Sequence, residues 1–228
     1  MSMRNKNDLT VAVIAKQCLP GRVKTRLSPP LTPEDAAGLA QLSLSRTLET
    51  VRLLPARNRL LVMDGIPTAE DAEQFDVVPQ AAGGLDERLA AICDSVSGPL
   101  LIIGMDTPQF SVSHVAPLLD DWCTGAASHD AWLGPASDGG FWALALRRPN
   151  GALIRGVPMS TDTTGIRQHA RLSSAGLNIG ILPELRDMDY FNDALEIAAG
   201  IPGTEFAFAV SKAASLAQGG ALVNGAGR

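Results

Sequence analysis

Cysteine is scarce in this sequence, and the three present, Cys18, Cys93 and Cys123, are odd in number, widely spaced and without a Cys-x-x-Cys pair. That excludes a disulfide framework and a zinc ribbon, and it reads as reduced thiols of a cytoplasmic protein. Cys18 stands among cations, which lower a thiol pKa, so it is either a reactive thiol or an incidental loop residue. Long apolar runs are also missing: the aliphatic stretch at 100–103 is far too short to cross a bilayer, and MSMRNKNDLT at the start carries no apolar signal region, so neither export nor membrane anchoring is expected. Positive charge is in deficit, with a net charge of -5 and a pI near 5.2, which argues against a nucleic-acid-binding surface. His114, His129 and His169 are scattered, and no Gly-x-Ser-x-Gly elbow occurs, which disfavours a hydrolytic triad or a histidine metal site. A Gly-x-Gly-x-x-Gly after the first strand is absent too, so dinucleotide oxidation is disfavoured. PGRVKT lacks the Gly-x-x-x-x-Gly-Lys spacing of a P-loop.

Against this background the segment 14–30, IAKQCLPGRVKTRLSPP, concentrates cations: Lys16, Arg22, Lys24 and Arg26 fall within eleven residues. Pro20-Gly21 marks a turn, and Gly21 lets backbone approach a ligand closely. Clustered ammonium and guanidinium groups after a strand suit phosphate oxygens; taken alone, the loop serves equally well as solvated surface.

The pattern around it is that of a doubly wound α/β sheet. Short apolar runs at 9–15, 59–63, 75–79 and 100–103 read as buried strands, separated by amphipathic helices. The clearest helix begins with Thr32 as N-cap and Pro33 in its first turn, carries Ala37, Ala40, Leu44, Leu48 and Val51 on one stripe, and ends before Pro55. After residue 122 two strands, 131–133 and 141–146, flank the turn GPASDGG with no helix between them, which predicts a small antiparallel insertion. Ser160 is expected to cap a helix over 161–175, and 177–182 to form the last strand. The expected organisation is a flexible N-terminus at 1–8, a single α/β domain over 9–199, a C-terminal helix at 200–217 and a mobile tail at 218–228.

Ligands of such sheets sit at the carboxyl ends of the strands. Asp106, in GMDTP directly after the strand at 100–103, is placed there, either to hold Mg²⁺ or Mn²⁺ or to cap the turn at Thr107-Pro108. Asp187 and Asp189 stand two apart after the last strand, so in extended chain both carboxylates face one side and one metal; the plain alternative is a solvated acidic loop. Asp138 in PASDGG, followed by Gly139 and Gly140, is placed to touch an acceptor or to shape the turn. Glu87 and Arg88 open a helix after Gly83-Gly84 and are within reach of a nucleotide, or form a surface charge pair. Ser160 and Thr161, with Asp162, either cap a helix or meet the acceptor.

Taken together, PGRVKTRLSPPLTPEDAA, GMDTP, LGPASDGGFW, the pair Ser160-Thr161 and LPELRDMD resemble, in order and over roughly residues 9–195, the radical-SAM and selenodomain-associated transferase family (DUF2064-like). That family is placed in the nucleotide-diphospho-sugar transferase (GT-A) superfamily. The resemblance implies a Rossmann-like, mostly parallel sheet with an antiparallel insertion, and a nucleotide over the loop after the first strand. It also implies Asp106 as the metal-site aspartate, with Asp187 and Asp189 similar to the paired aspartates of related guanylyltransferases. Departures from the family pattern are Met159 where tryptophan is usual, DMDYFNDA without Thr-Pro, and Asp86 where glycine is usual.

The function expected is a Mg²⁺- or Mn²⁺-dependent glycosyltransferase using a nucleotide-activated donor and a small acceptor. Catalytic roles fall to Asp106, Lys24 and Asp138; phosphate binding to Lys16, Gly21, Arg22, Lys24, Arg26 and Arg88; metal binding to Asp106, Asp187 and Asp189; and the acceptor to Asp138, Gly139, Gly140, Ser160 and Thr161. The alternatives are a nucleotidyltransferase that joins an NTP to a phosphorylated acceptor with release of pyrophosphate, and a non-catalytic nucleotide-binding module.

Overall fold

The computed structural model describes residues 8–123 and 127–225; residues 1–7 of the expected N-terminal segment 1–8, residues 124–126 and the end of the expected tail, 226–228, lie outside them. The first strand, β1 (Thr10–Lys16), shows why the sheet is covered on both sides. Its side chains alternate with the pleat: Val11, Val13 and Ala15 enter one apolar cluster, while Ala12 and Ile14 face another. A strand with no polar face has to be sandwiched.

The remaining strands are β2 (Asn58–Asp64), β3 (Asp76–Pro79), β4 (Leu100–Gly104), β5 (Ala131–Pro135), β6 (Phe141–Leu146) and β7 (Ile179–Ile181), in the order β3-β2-β1-β4-β6-β5-β7. All neighbours pair in parallel except those of β6, which runs antiparallel to both β4 and β5. The expected insertion is thus one reversed strand, and because of its reversal its amino end, Phe141-Trp142, reaches the same edge as the carboxyl ends of β1 and β4.

Helices α1 (Pro33–Arg52) and α4 (Val112–Cys123) cover one face, and α3 (Leu85–Ser95) and α5 (Thr164–Ser174) the other; a short α2 (Ala69–Ala72) links β2 to β3. The start of α1 follows the sequence: Thr32 Oγ1 accepts from the Asp35 N–H at 3.1 Å, with Pro33 in the first turn. Helix α5 does not follow it. Ser160 adopts φ 57 and makes no capping bond; the helix begins four residues later, and Thr164 Oγ1 instead accepts from Thr161 N–H and donates to the Pro158 carbonyl. The cause is a tertiary contact: the chain at 160–162 is bent against the 136–140 turn, and that bend spends the residues that would have been the first helical turn.

A third cluster bears directly on function. Leu27, from the 3-10 turn Thr25–Leu27, and Leu31 pack with Met188 and with α6 (Phe191–Gly200) and α7 (Glu205–Gly225) through Ile197, Phe206 and Val210. The C-terminal helices therefore hold down the basic loop from behind. Helix α7 runs to Gly225, past the expected boundary at 217: Gly219 and Gly220 weaken a helix by roughly 1 kcal/mol each, but no proline ends it. Among the described residues, no helix is long and apolar enough to cross a membrane.

Candidate functional site

A cavity of about 640 Å³ opens at the carboxyl edge of the central strands. Its floor is made by Ile14 to Lys16 of β1 and by Gly104 to Thr107 after β4; one wall is Gln80 with Leu85, Arg88 and Leu89 of α3, and the opposite wall is Asp138, Gly140 to Trp142 and the segment 159–162. Asp187, Asp189 and Tyr190 close the end. A side pocket of about 280 Å³, lined by Lys16, Arg22, Lys24, Arg26 and Asp106, adjoins it.

Lys24 lines the side pocket and is tied to Asp106 and Asp189, which line both. It adopts the left-handed conformation, φ 47, at the head of the 3-10 turn, and its side chain is only 8% exposed. Its Nζ lies 3.1 Å from Asp106 Oδ2 and 3.0 Å from Asp189 Oδ1. Burial opposes its charge, but Asp106 and Asp189 outweigh that and raise its pKa above the ordinary lysine value. Arg26 takes the other oxygen of Asp189 at 3.2 Å and lies over the Tyr190 ring, 5.8 Å from its centroid.

The acids part from the sequence expectation here. Extended chain would aim Asp187 and Asp189 at one metal, but the Asp189 N–H donates back to the Asp187 carbonyl at 3.1 Å, so the backbone turns at the buried Met188. Asp189 goes to the two cations, whereas Asp187 Oδ1 is buried and unpartnered. Burial pushes the Asp187 pKa up to about 8, reinforced by Asp106, Asp138 and Asp189 and opposed by Lys24. Among the described residues, no three His, Cys, Asp or Glu side chains form a ready metal cage. Asp106 and Asp187 still fit a hard divalent cation that takes one or two protein carboxylates and completes its shell with phosphate oxygens and water, and the orphaned Asp187 oxygen lacks such a partner.

Arg88 lines the cavity but is already engaged: its Nη1 donates to Gln80 Oε1 at 2.8 Å and to Asp64 Oδ2 at 3.2 Å, and its Nε to the Gly83 carbonyl. Glu87 points elsewhere, pairing with Arg155 at 2.9 Å. Gly21, φ 71, has open space where a side chain would stand. Cys18 is not activated: burial, with Asp71 and Asp106 adding to it, pushes its pKa up to about 12.

Asp138 makes the turn and lines the cavity as well; its Oδ1 accepts from Gly140 N–H at 2.8 Å. Gly139, φ 88, sits where a Cβ would come within 2.0 Å of the Asp162 carbonyl oxygen, and its own carbonyl accepts from Gly165 N–H. The glycine thus locks the turn against Ser160 to Asp162. Gly139→Ala is expected to lose about 2 kcal/mol or more, because left-handed strain adds to a backbone clash; a chemical denaturation midpoint equal to wild type would contradict this packing.

Three cavity residues escaped the motif reading. Gln80 donates to the Ala15 carbonyl and accepts from Arg88, bridging β1 to α3; its place directly after β3 was the available signal. Thr107, inside GMDTP, is 1% exposed and its Oγ1 has no partner. Trp142 lines the cavity with its Nε1 anchored to the Pro183 carbonyl.

Residues 47–161, half of the chain, match the family described as uncharacterized protein conserved in bacteria (DUF2064). No curated protein matches the sequence. The fold is similar to a proposed nucleotide-diphospho-sugar transferase from Desulfovibrio desulfuricans G20 (TM-score 0.81, 20% identity, 93% of this chain and 97% of the other). It is similar as well to CMP:2-keto-3-deoxy-manno-octonic acid synthetase complexed with CTP (TM-score 0.53, 12% identity, 86% and 98%). A third similar structure is a manganese complex from Mycobacterium tuberculosis H37Rv (TM-score 0.51, 18% identity, 84% and 97%). At these identities the likeness establishes the nucleotide-diphospho-sugar transferase fold.

Proposed function

Because the chain belongs to the DUF2064 family and has the nucleotide-diphospho-sugar transferase fold, we propose that it transfers a glycosyl group from a nucleotide-activated donor to a small acceptor. The observation that carries this reading is Lys24, a nearly buried ammonium in the cationic side pocket, tied to Asp106 and Asp189, which also line the cavity of about 640 Å³. Leu85, Leu89 and Ile14 supply apolar surface for the nucleoside end, and Lys16, Arg22, Lys24 and Arg26 meet the diphosphate.

Asp106 and Asp187 would hold Mg²⁺ or Mn²⁺, a use supported by the manganese complex among the similar structures. When bound, the ion neutralises charge on the diphosphate as it leaves. The acceptor hydroxyl attacks the anomeric carbon, the bond from that carbon to the phosphate oxygen breaks, and the nucleoside diphosphate departs with the electron pair. Lys24 and the arginines stabilise the charge that develops there. The acceptor proton passes to Asp138, an exposed carboxylate of the opposite wall.

The side pocket favours a second reading, nucleotidyl transfer, because its four cations suit a terminal pair of phosphates and one similar structure is a CTP complex. Mass analysis of products separates the two. Release of a nucleoside diphosphate from a nucleotide sugar is the expected result. Pyrophosphate release from an NTP in the presence of acceptor would replace the first reading with the second, and nucleotide binding without any turnover would leave only a binding module.

A further inference from the structure

The charge on the cavity changes sign along the sheet edge. On the β2-β1 side stand Lys16 and Arg88, and Arg26 belongs to the loop that leaves β1. From β4 outward stand Asp106, Asp138, Asp162 and Asp187. Lys24 is shared between Asp106 and Asp189, and among the described residues no cation lines the wall formed by 138–142 and 159–164. A divalent ion on Asp106 and Asp187 would still leave Asp138 and Asp162 uncompensated.

One buried group adds a chemical requirement. Thr107 Oγ1, in the cavity lining and 1% exposed, lacks any partner and calls for a polar ligand group. Beside Asp138 and Asp162 a hydroxyl or an ammonium can meet that need, whereas an ionised phosphate or carboxylate is repelled. Ser160 and Thr161 add further hydroxyls on the same wall.

We propose, building on the glycosyl-transfer reading, that this wall selects an uncharged or amine-bearing polyol as acceptor and rejects phosphorylated and carboxylated ones. This narrows the acceptor class and runs against the phospho-acid acceptor that the nucleotidyl reading requires.

The test uses the full chain with inorganic pyrophosphate and Mg²⁺ filling the phosphate end, and three-carbon probes that differ in charge: glycerol, 2-amino-1,3-propanediol, glycerol 3-phosphate and glycerate. Binding is read by saturation-transfer NMR. The aminodiol is expected to bind best, about fivefold above glycerol as one screened charge contact gives, with both anions weaker than glycerol. Asp138→Asn and Asp162→Asn, at exposed positions, are expected to erase the aminodiol preference. Tighter binding of either anion, an aminodiol preference that survives both variants, or no binding by any probe would overturn the proposal. Calorimetry of pyrophosphate in the same samples keeps the two readings apart: its failure to bind tells against the nucleotide site, while the order of the probes still judges the wall.

Discussion

Lys24→Met is expected to lower donor turnover by roughly 100-fold or more, the usual scale for losing a preorganised charge beside a leaving group. The substitution isolates the ammonium. Methionine has similar length and flexibility, and the left-handed backbone at φ 47 strains both residues alike. Removing the charge also leaves Asp106 and Asp189 facing each other without the cation that joins them, which costs about 3 kcal/mol for a pair whose lysine is nearly buried. Arg26 retains its hold on Asp189 and limits the damage to the loop. Steady-state kinetics at a temperature where both proteins are folded provides the check. A variant that loses stability and keeps its turnover would reduce Lys24 to a structural clasp.

Asp187 gives the largest pH effect. Its folded pKa of about 8 lies above the ordinary 3.8, so between those values the folded chain retains a proton that the unfolded chain releases. The stability tied to that proton is complete below pH 3.8 and is lost as pH rises toward 8. The full loss is on the order of 6 kcal/mol for a shift of this size. His114 works the other way: burial holds its pKa below 6.5, so it favours the folded chain as pH rises through that region. Asp121, lowered to about 2 despite burial because Ser128 and His129 donate to it, acts only below pH 3.8. The difference between wild type and Asp187→Asn cancels both of these. In metal-free buffer the variant is expected to gain on wild type steadily from pH 4 to 8 in urea midpoints; parallel profiles would show that Asp187 ionises freely and that its buried oxygen is satisfied.

The sheet was legible because its signals are local. Buried strands cannot hide their apolar runs, and Thr32, Pro33 and the 37–51 stripe announce α1 from sequence alone. The positions of the basic loop and of Asp106 at the cavity were legible for the same reason, each being tied to the end of a readable strand. What escaped depends on contacts distant in sequence. The turn at Met188 follows from its burial against α6 and α7, and nothing within RDMDYF reveals it. Ser160 has the composition of an N-cap, yet packing on Gly139 overrides it. Cys18 sits beside cations in sequence, but burial, with Asp71 and Asp106 adding to it, raises its pKa, which leaves the incidental thiol of the two readings.

On the proposed function the basic loop and Asp106 are two halves of one site for a nucleotide and its metal. Titration calorimetry of nucleotide sugars with and without Mn²⁺, on wild type and Asp106→Asn, is the decisive measurement. Binding by wild type is expected to strengthen at least about tenfold with Mn²⁺, and the variant to lose that enhancement. Equal enhancement in Asp106→Asn, or no binding of any nucleotide by the wild-type chain, would contradict it.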